Sequence, residues 1–207
     1  MIIGFDVDNV LVDQAAYQLK YGVPYFAKKG MELVNPNGFD IEDMFACSHA
    51  EREKFWTKYI WKYCLTEPMT EGAAELSQKL HEAGHKIIIV TGRAHTTETG
   101  TTGSLFRWML KHWLKKNYFS YDEIFYCSES GSSDEKYKIC KEQSIELLID
   151  DKTENLLALK DQIQIICFPA PWNRDCRELD PFRADCMAEV GKRIEEIEYK
   201  LSGKRNM

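Results

Sequence analysis

Met1-Ile2-Ile3-Gly4-Phe5-Asp6-Val7-Asp8-Asn9-Val10 opens the chain with an apolar run that ends in two aspartates two residues apart. The run at residues 1–5 is nearly continuous in hydrophobicity, as suits a strand covered on both faces in a parallel sheet. Asp6 and Asp8 would leave such a strand near its carboxyl end, the edge where ligands bind in an open α/β sheet. Side chains at i and i+2 of an extended chain point to one side. Two carboxylates so placed repel when both are ionised and call for a cation or a shared proton. Magnesium meets that need; a solvated strand end with an Asx-type turn is the plainer alternative.

Four more runs of this kind follow, at residues 86–90, 123–127, 145–149 and 163–168. Helix-like segments separate most of them. Residues 71–83 place Ala74, Leu76 and Leu80 near one face and end at Gly84, a plausible C-terminal cap. Residues 104–116 carry Leu105, Trp108, Met109 and Trp113 at helical spacing, and 134–143 and 153–161 are shorter helix candidates. The alternation predicts an α/β domain with a parallel sheet and right-handed crossovers.

Residues 13–68 break the rhythm. They hold no convincing buried strand but many aromatics, and residues 51–63 fit an amphipathic helix with Phe55, Trp56, Tyr59, Ile60 and Tyr63 as its stripe. Pro24, Pro36 and Gly38 punctuate the stretch. The expectation is a small helical lobe inserted after the first strand, with residues 1–12 and 69–207 forming the core; helices packed flat on the main domain are the alternative. The last strand leads into FPAPWNRDCRE, expected to be an ordered loop. A final helix at about 184–201 precedes a basic tail, 203–207, expected to fray.

Composition narrows the partners. The chain has 207 residues, 44% of them hydrophobic, which is enough for a core without disulfides or a structural metal. A net charge of −6 argues against a nucleic-acid polymer, which needs a basic face. It leaves room for a small phosphorylated metabolite, because a local metal or lysine reverses the field at one site. The seven cysteines include no Cys-x-x-Cys pair and read as reduced, mostly core residues. No basic segment followed by an apolar stretch opens the chain, and no apolar run approaches membrane-spanning length. A cytoplasmic protein with no membrane partner is expected, with a homodimer left open.

Three further segments carry chemistry. Thr91, Gly92 and Arg93 follow the strand at 86–90; the Thr91 hydroxyl and the next amides suit an anion, and Arg93 adds a bidentate contact. Lys136 lies at the start of a helix, where the helix dipole favours negative charge. A solvated face is the bland reading there. Asp150 and Asp151 follow the strand at 145–149. At least one would reach the sheet edge and complete an oxygen ligand set for magnesium, while Asp151 also suits a helix N-cap.

Taken in this order, Asp6 and Asp8, Thr91, Lys136, and Asp150 with Asp151 resemble the haloacid dehalogenase (HAD) superfamily of phosphatases. The match covers residues 1–12 and 71–171. KICKEQSIELLIDDKTENL at 138–156, with PWNR at 171–174, looks most like the nucleotidase branch, which includes deoxyribonucleotidases. The family usually has Gly after the second aspartate, where this chain has Asn9; Asn tolerates the left-handed backbone better than most residues.

The resemblance implies a Rossmann-like three-layer core with a small helical cap. It also implies a Mg2+-dependent phosphomonoester hydrolase, most simply for a nucleoside monophosphate, with a sugar phosphate or turnover-free binding as alternatives. Asp6 would be the nucleophile and Asp8 the acid and base. Thr91 and Lys136, with Lys138 as runner-up, would bind the phosphoryl group, and Asp6, the Asp8 carbonyl and Asp150 the metal. Gly92, Arg93, Phe26 and Phe45 are the substrate-side candidates.

Overall fold

The computed structural model describes residues 1–128 and 133–205. Five parallel strands, β1 (Ile2–Phe5), β2 (Lys86–Thr91), β3 (Glu123–Tyr126), β4 (Leu147–Asp150) and β5 (Gln164–Cys167), form one sheet in the order β3-β2-β1-β4-β5. The apolar runs are continuous because both faces are covered. Ile87 and Ile89 of β2 belong to a cluster with Leu80, Trp113 and Ile194. Those partners come from α4 (Ala73–Glu82), α5 (Gly100–Lys116) and α8 (Met187–Arg205). Ile88 and Val90 instead join Cys140, Leu156 and Leu159, from α6 (Ser133–Glu142) and α7 (Thr153–Leu159). Each such isoleucine, leucine or valine side chain, once buried, stabilises the fold by about 1.5–3 kcal/mol. The result is a three-layer α/β core.

The long interval between β1 and β2 forms α1 (Gln14–Ala27), α2 (Ile41–Phe45) and α3 (His49–Thr66) before α4. It has its own apolar cluster of Phe26, Ile41, Met44, Phe45 and Phe55. Its base merges with the main core through Tyr17, Ile60, Tyr63 and Cys64.

Local chemistry explains the element ends. Asp13 accepts the Ala16 N–H at 2.8 Å and starts α1, and Ser48 accepts the Glu51 N–H and starts α3. Helix α3 is therefore longer at both ends than its apolar stripe indicates. Gly84 ends α4 at φ +83, with its N–H on His81 O at 2.9 Å. Pro24 lies inside α1 rather than ending a segment. It is on the exposed face of the helix.

At the other end, α8 starts later than the apolar pattern suggests and runs to Arg205, so most of the tail expected to fray is helical. Asn206 and Met207 lie outside the described residues. All seven cysteines are free thiols. No described helix is long and apolar enough to cross a membrane.

The insertion's core is tight at Gly22, where an added Cβ would lie 2.8 Å from Phe45 Cε2. Gly22→Leu should cost about 1–3 kcal/mol by overpacking, despite the roughly 1 kcal/mol that leaving glycine gains in a helix. Thermal or urea unfolding would measure it, and an unchanged midpoint would show a loosely packed insertion.

Candidate active site

Parallel pairing sets the site. Phe5 of β1 stands opposite Ile149 of β4, and the Asp6 N–H donates to Ile149 O at 3.0 Å. The next residue on each strand is an aspartate, so Asp6 and Asp150 meet at the carboxyl edge. Strand β1 is also the switch point of the sheet, with β2 on one side and β4 on the other.

Lys136, in the first turn of α6, reaches between them. Its Nζ lies 2.7 Å from Asp150 Oδ2 and 3.2 Å from Asp6 Oδ2. Only 5% of the residue is exposed. Lys138 points away, exposed, towards Glu142 at 3.8 Å. The other Asp150 oxygen accepts the Lys152 N–H at 2.8 Å, and the Asn155 amide spans both oxygens at 3.3 and 3.1 Å.

Among the aspartates at this sheet edge, Asp6 Oδ1 and Asp151 Oδ2 are buried without a hydrogen-bond partner. One oxygen from each of Asp6, Asp150 and Asp151 lies within 4.8 Å of the others. Three carboxylates against one ammonium, with two oxygens unpaired, fit a hard divalent cation that prefers oxygen ligands. Asp151, which a helix cap alone would have explained, is thus part of the trio.

Asp8 has different company. Its Oδ1 accepts the Tyr63 hydroxyl at 2.5 Å and lies 3.7 Å from Arg93 Nη1. Its carboxylate is outside the trio, so a metal role would rest on its backbone carbonyl. Arg93 is 3% exposed. Asp8 and the ring faces of Tyr63 and Trp113, 4.8 and 5.6 Å from the guanidinium, answer its charge. The turn after Asp8 survives without glycine. Asn9 adopts φ 61, and its side-chain oxygen accepts the Ala15 N–H at 3.0 Å, which also fastens the start of α1.

The electrostatics follow. Burial, with Asp150 and Asp8 adding to it, pushes the Asp6 carboxyl up to about 7 against the pull of Lys136. Burial and the Asp150 and Asp6 carboxylates hold Asp151 well above the usual carboxylate range. Burial opposes the Lys136 charge, but Asp150 and Asp6 overcome it and raise its pKa. Burial likewise opposes the Arg93 charge, and Asp8 leads the groups that raise its pKa.

A cavity of about 640 Å³ opens between this edge and the insertion. Asp6, Asp8, Gly92, Arg93, Lys136 and Asp151 line it from the core side. Thr91 stands behind that wall, fully buried, its hydroxyl accepting the Arg93 N–H at 3.2 Å. Phe26 and Phe45 are not on the cavity lining. They stack on each other at 4.5 Å inside the insertion, because the α1–α2–α3 packing needs apolar rings there.

Sequence reasoning passed over Tyr63, Asn155 and Asn173. Tyr63 reads as core aromatic, which it also is. Asn173, in the quoted PWNR, is fully buried and donates to Asp151 O at 2.7 Å and Phe168 O at 2.8 Å. Arg183 Nη1 holds its amide oxygen at 3.0 Å. In the sequence it stood out only as part of the PWNR stretch.

No family model and no curated protein matches the chain. Solved structures do. A predicted phosphatase from Clostridium acetobutylicum superposes with TM-score 0.66 at 16% identity, over 94% of this chain and 98% of that one. β-Phosphoglucomutase from Clostridium difficile gives 0.63 at 14%, over 97% and 100%. A HAD-superfamily hydrolase from Ehrlichia chaffeensis gives 0.55 at 14%, over 94% and 96%. The fold is therefore the HAD-like α/β fold.

The Asp6 shift has a sign. A carboxyl whose folded pKa is raised from about 4 to about 7 contributes most to stability at low pH. That contribution fades as pH rises from about 4 through 7. Without added metal, stability should fall across this window. Millimolar magnesium should raise the melting temperature more at pH 8 than at pH 6, because cation and proton compete for Asp6. Calorimetry with and without magnesium would show it; no magnesium shift at either pH would count against the trio as a cation site.

Proposed function

We propose that this chain is a magnesium-dependent phosphomonoester hydrolase for a small sugar-phosphate-like metabolite, with Asp6 as nucleophile. The observation that carries the reading is the division between the two aspartates of one turn. Asp6 joins Lys136, Asp150 and Asp151, while Asp8 faces Tyr63 and Arg93. A nucleophile and a separate proton carrier need such different settings. The named neighbours, a phosphatase and a phosphoglucomutase among them, support the same chemistry. They favour a sugar phosphate over the nucleoside monophosphate that the sequence resemblance suggests.

Magnesium, held by Asp6, Asp150 and Asp151, would neutralise phosphoryl charge and screen the carboxylates from one another. The protein's own groups do the rest. An Asp6 oxygen attacks phosphorus as the bond to the leaving oxygen breaks, and Asp8 gives that oxygen its proton. Asp8 then takes a proton from water, whose oxygen attacks the same phosphorus and frees the Asp6 carboxylate with inorganic phosphate. Lys136 faces the phosphoryl oxygens as charge spreads over them. Tyr63 and Arg93 hold Asp8 in place. Residues 13–68 serve as a cap over the cleft and restrict water.

A panel of p-nitrophenyl phosphate, hexose phosphates and nucleoside monophosphates with magnesium tests the reading. Hexose phosphates should be cleaved best; a clear preference for nucleotides would move the substrate back to the nucleotidase class. Folded protein with no hydrolysis of any ester would sink the enzyme reading itself.

Asp6→Asn should lower turnover by at least about a thousandfold, since covalent catalysis is lost. Wild-type rates in that variant would exclude Asp6 as nucleophile. Asp8→Asn should slow alkyl phosphates by about 100-fold or more and p-nitrophenyl phosphate, whose leaving group needs no proton, much less. Equal losses on both would remove Asp8 from the acid role.

A further inference from the structure

The wall of the cavity opposite the aspartate trio has a chemistry that the phosphate end does not use. Four carboxylates of the insertion, Asp40, Glu42, Asp43 and Glu53, line it together with Arg52 and His49. Arg52 is engaged by them: its Nε donates to Asp40 at 2.8 Å and its Nη1 to Glu53 at 2.7 Å. His49 Nδ1 lies 2.9 Å from Glu42. Negative charge exceeds positive charge on this wall whether or not His49 is protonated.

The other described cations of the lining do not reverse that balance. Lys136 is held between Asp6 and Asp150, and Arg93 beside Asp8. Lys152 lies 5.4 Å over the Phe39 ring, one residue past Asp151.

A second observation is independent of the charge. Gln18 is 3% exposed and lines the same cavity, and its amide oxygen has no hydrogen-bond partner. One oxygen of Asp40 is also buried and unpartnered. Buried polar groups are almost always hydrogen-bonded, so orphaned acceptors beside a ligand cavity mark where ligand donors belong.

We infer that this wall selects the leaving alcohol by charge. It takes a group rich in hydroxyl or amino donors and rejects one that carries a second anion. Sugar and amino-sugar monophosphates then fit, whereas sugar bisphosphates and phosphorylated sugar acids do not. The inference rests on the phosphomonoesterase reading above. Its physical basis is Coulombic: in a partly desolvated cleft a second phosphate or carboxylate meets the insertion's carboxylates with little screening. Asp40 and Glu53 are the residues that set the discrimination, through the charge they place there.

The test compares kcat/KM for glucose 6-phosphate and glucosamine 6-phosphate with that for glucose 1,6-bisphosphate and 6-phosphogluconate. In the wild type the two substrates with no second anionic group should lead by about tenfold or more. Asp40→Asn and Glu53→Gln should each narrow that ratio severalfold, chiefly through KM for the esters that carry a second anionic group. In the wild type, raising ionic strength from about 0.05 to about 0.5 M should narrow it too, because screening weakens the repulsion. The salt arm needs no variant to fold.

Equal cleavage of bisphosphate and monophosphate would overturn the inference. So would a ratio that neither substitution nor salt moves, or cleavage of p-nitrophenyl phosphate with none of the four sugar esters. Each of those outcomes leaves the phosphatase reading standing. Wild-type protein inert towards every ester, p-nitrophenyl phosphate included, would remove both.

Discussion

The pairing register of β1 and β4 is the constraint on which the site depends. It fixes Asp6 beside Asp150 through backbone hydrogen bonds that neither side chain can relax. Like charges held that closely cost free energy unless something compensates them. The fold compensates in part, with the buried Lys136 ammonium and the amide donors around Asp150. It leaves Asp6 Oδ1 and Asp151 Oδ2 unsatisfied. Stability alone would not retain two such oxygens, since buried unpaired polar groups are destabilising. A hard divalent cation, as proposed above, would give both oxygens a partner.

Asp8 shows how two residues of chain separate two chemical settings. It leaves the same strand as Asp6, yet it meets a hydroxyl from α3 and a guanidinium from the β2 edge. The Tyr63 contact joins the inserted helices to the turn that carries the two aspartates. Asn9 supports the same junction, taking the left-handed conformation and fastening the start of α1. The packing of the insertion and the setting of Asp8 therefore share the same contacts. Carboxylates of α2 and α3 line the same cavity as Asp6 and Asp151.

The core strands were legible because burial on both faces forces unbroken apolar runs, and Ile87–Val90 shows this residue by residue. The helices were legible in number more than in extent. Capping residues such as Ser48 lie outside the apolar stripe, and Pro24 on an exposed helical face looks like a break in one dimension. Phe26 and Phe45 were misplaced for a related reason. An aromatic that fills a small core and one that lines a pocket have the same local pattern, and only the packing of α1, α2 and α3 tells them apart.

By itself the sequence determined the parallel α/β core and the spacing of acids after its strands, because both are local consequences of backbone periodicity and strand ends. It also put Lys136 ahead of Lys138. The tertiary structure decided which groups share a site. Asp151 entered the trio, Thr91 withdrew behind the wall, and Tyr63, Asn155 and Asn173 took supporting places. Those outcomes turn on contacts between residues distant in the chain. Such contacts are fixed by strand order, register and helix packing, and no local pattern encodes them.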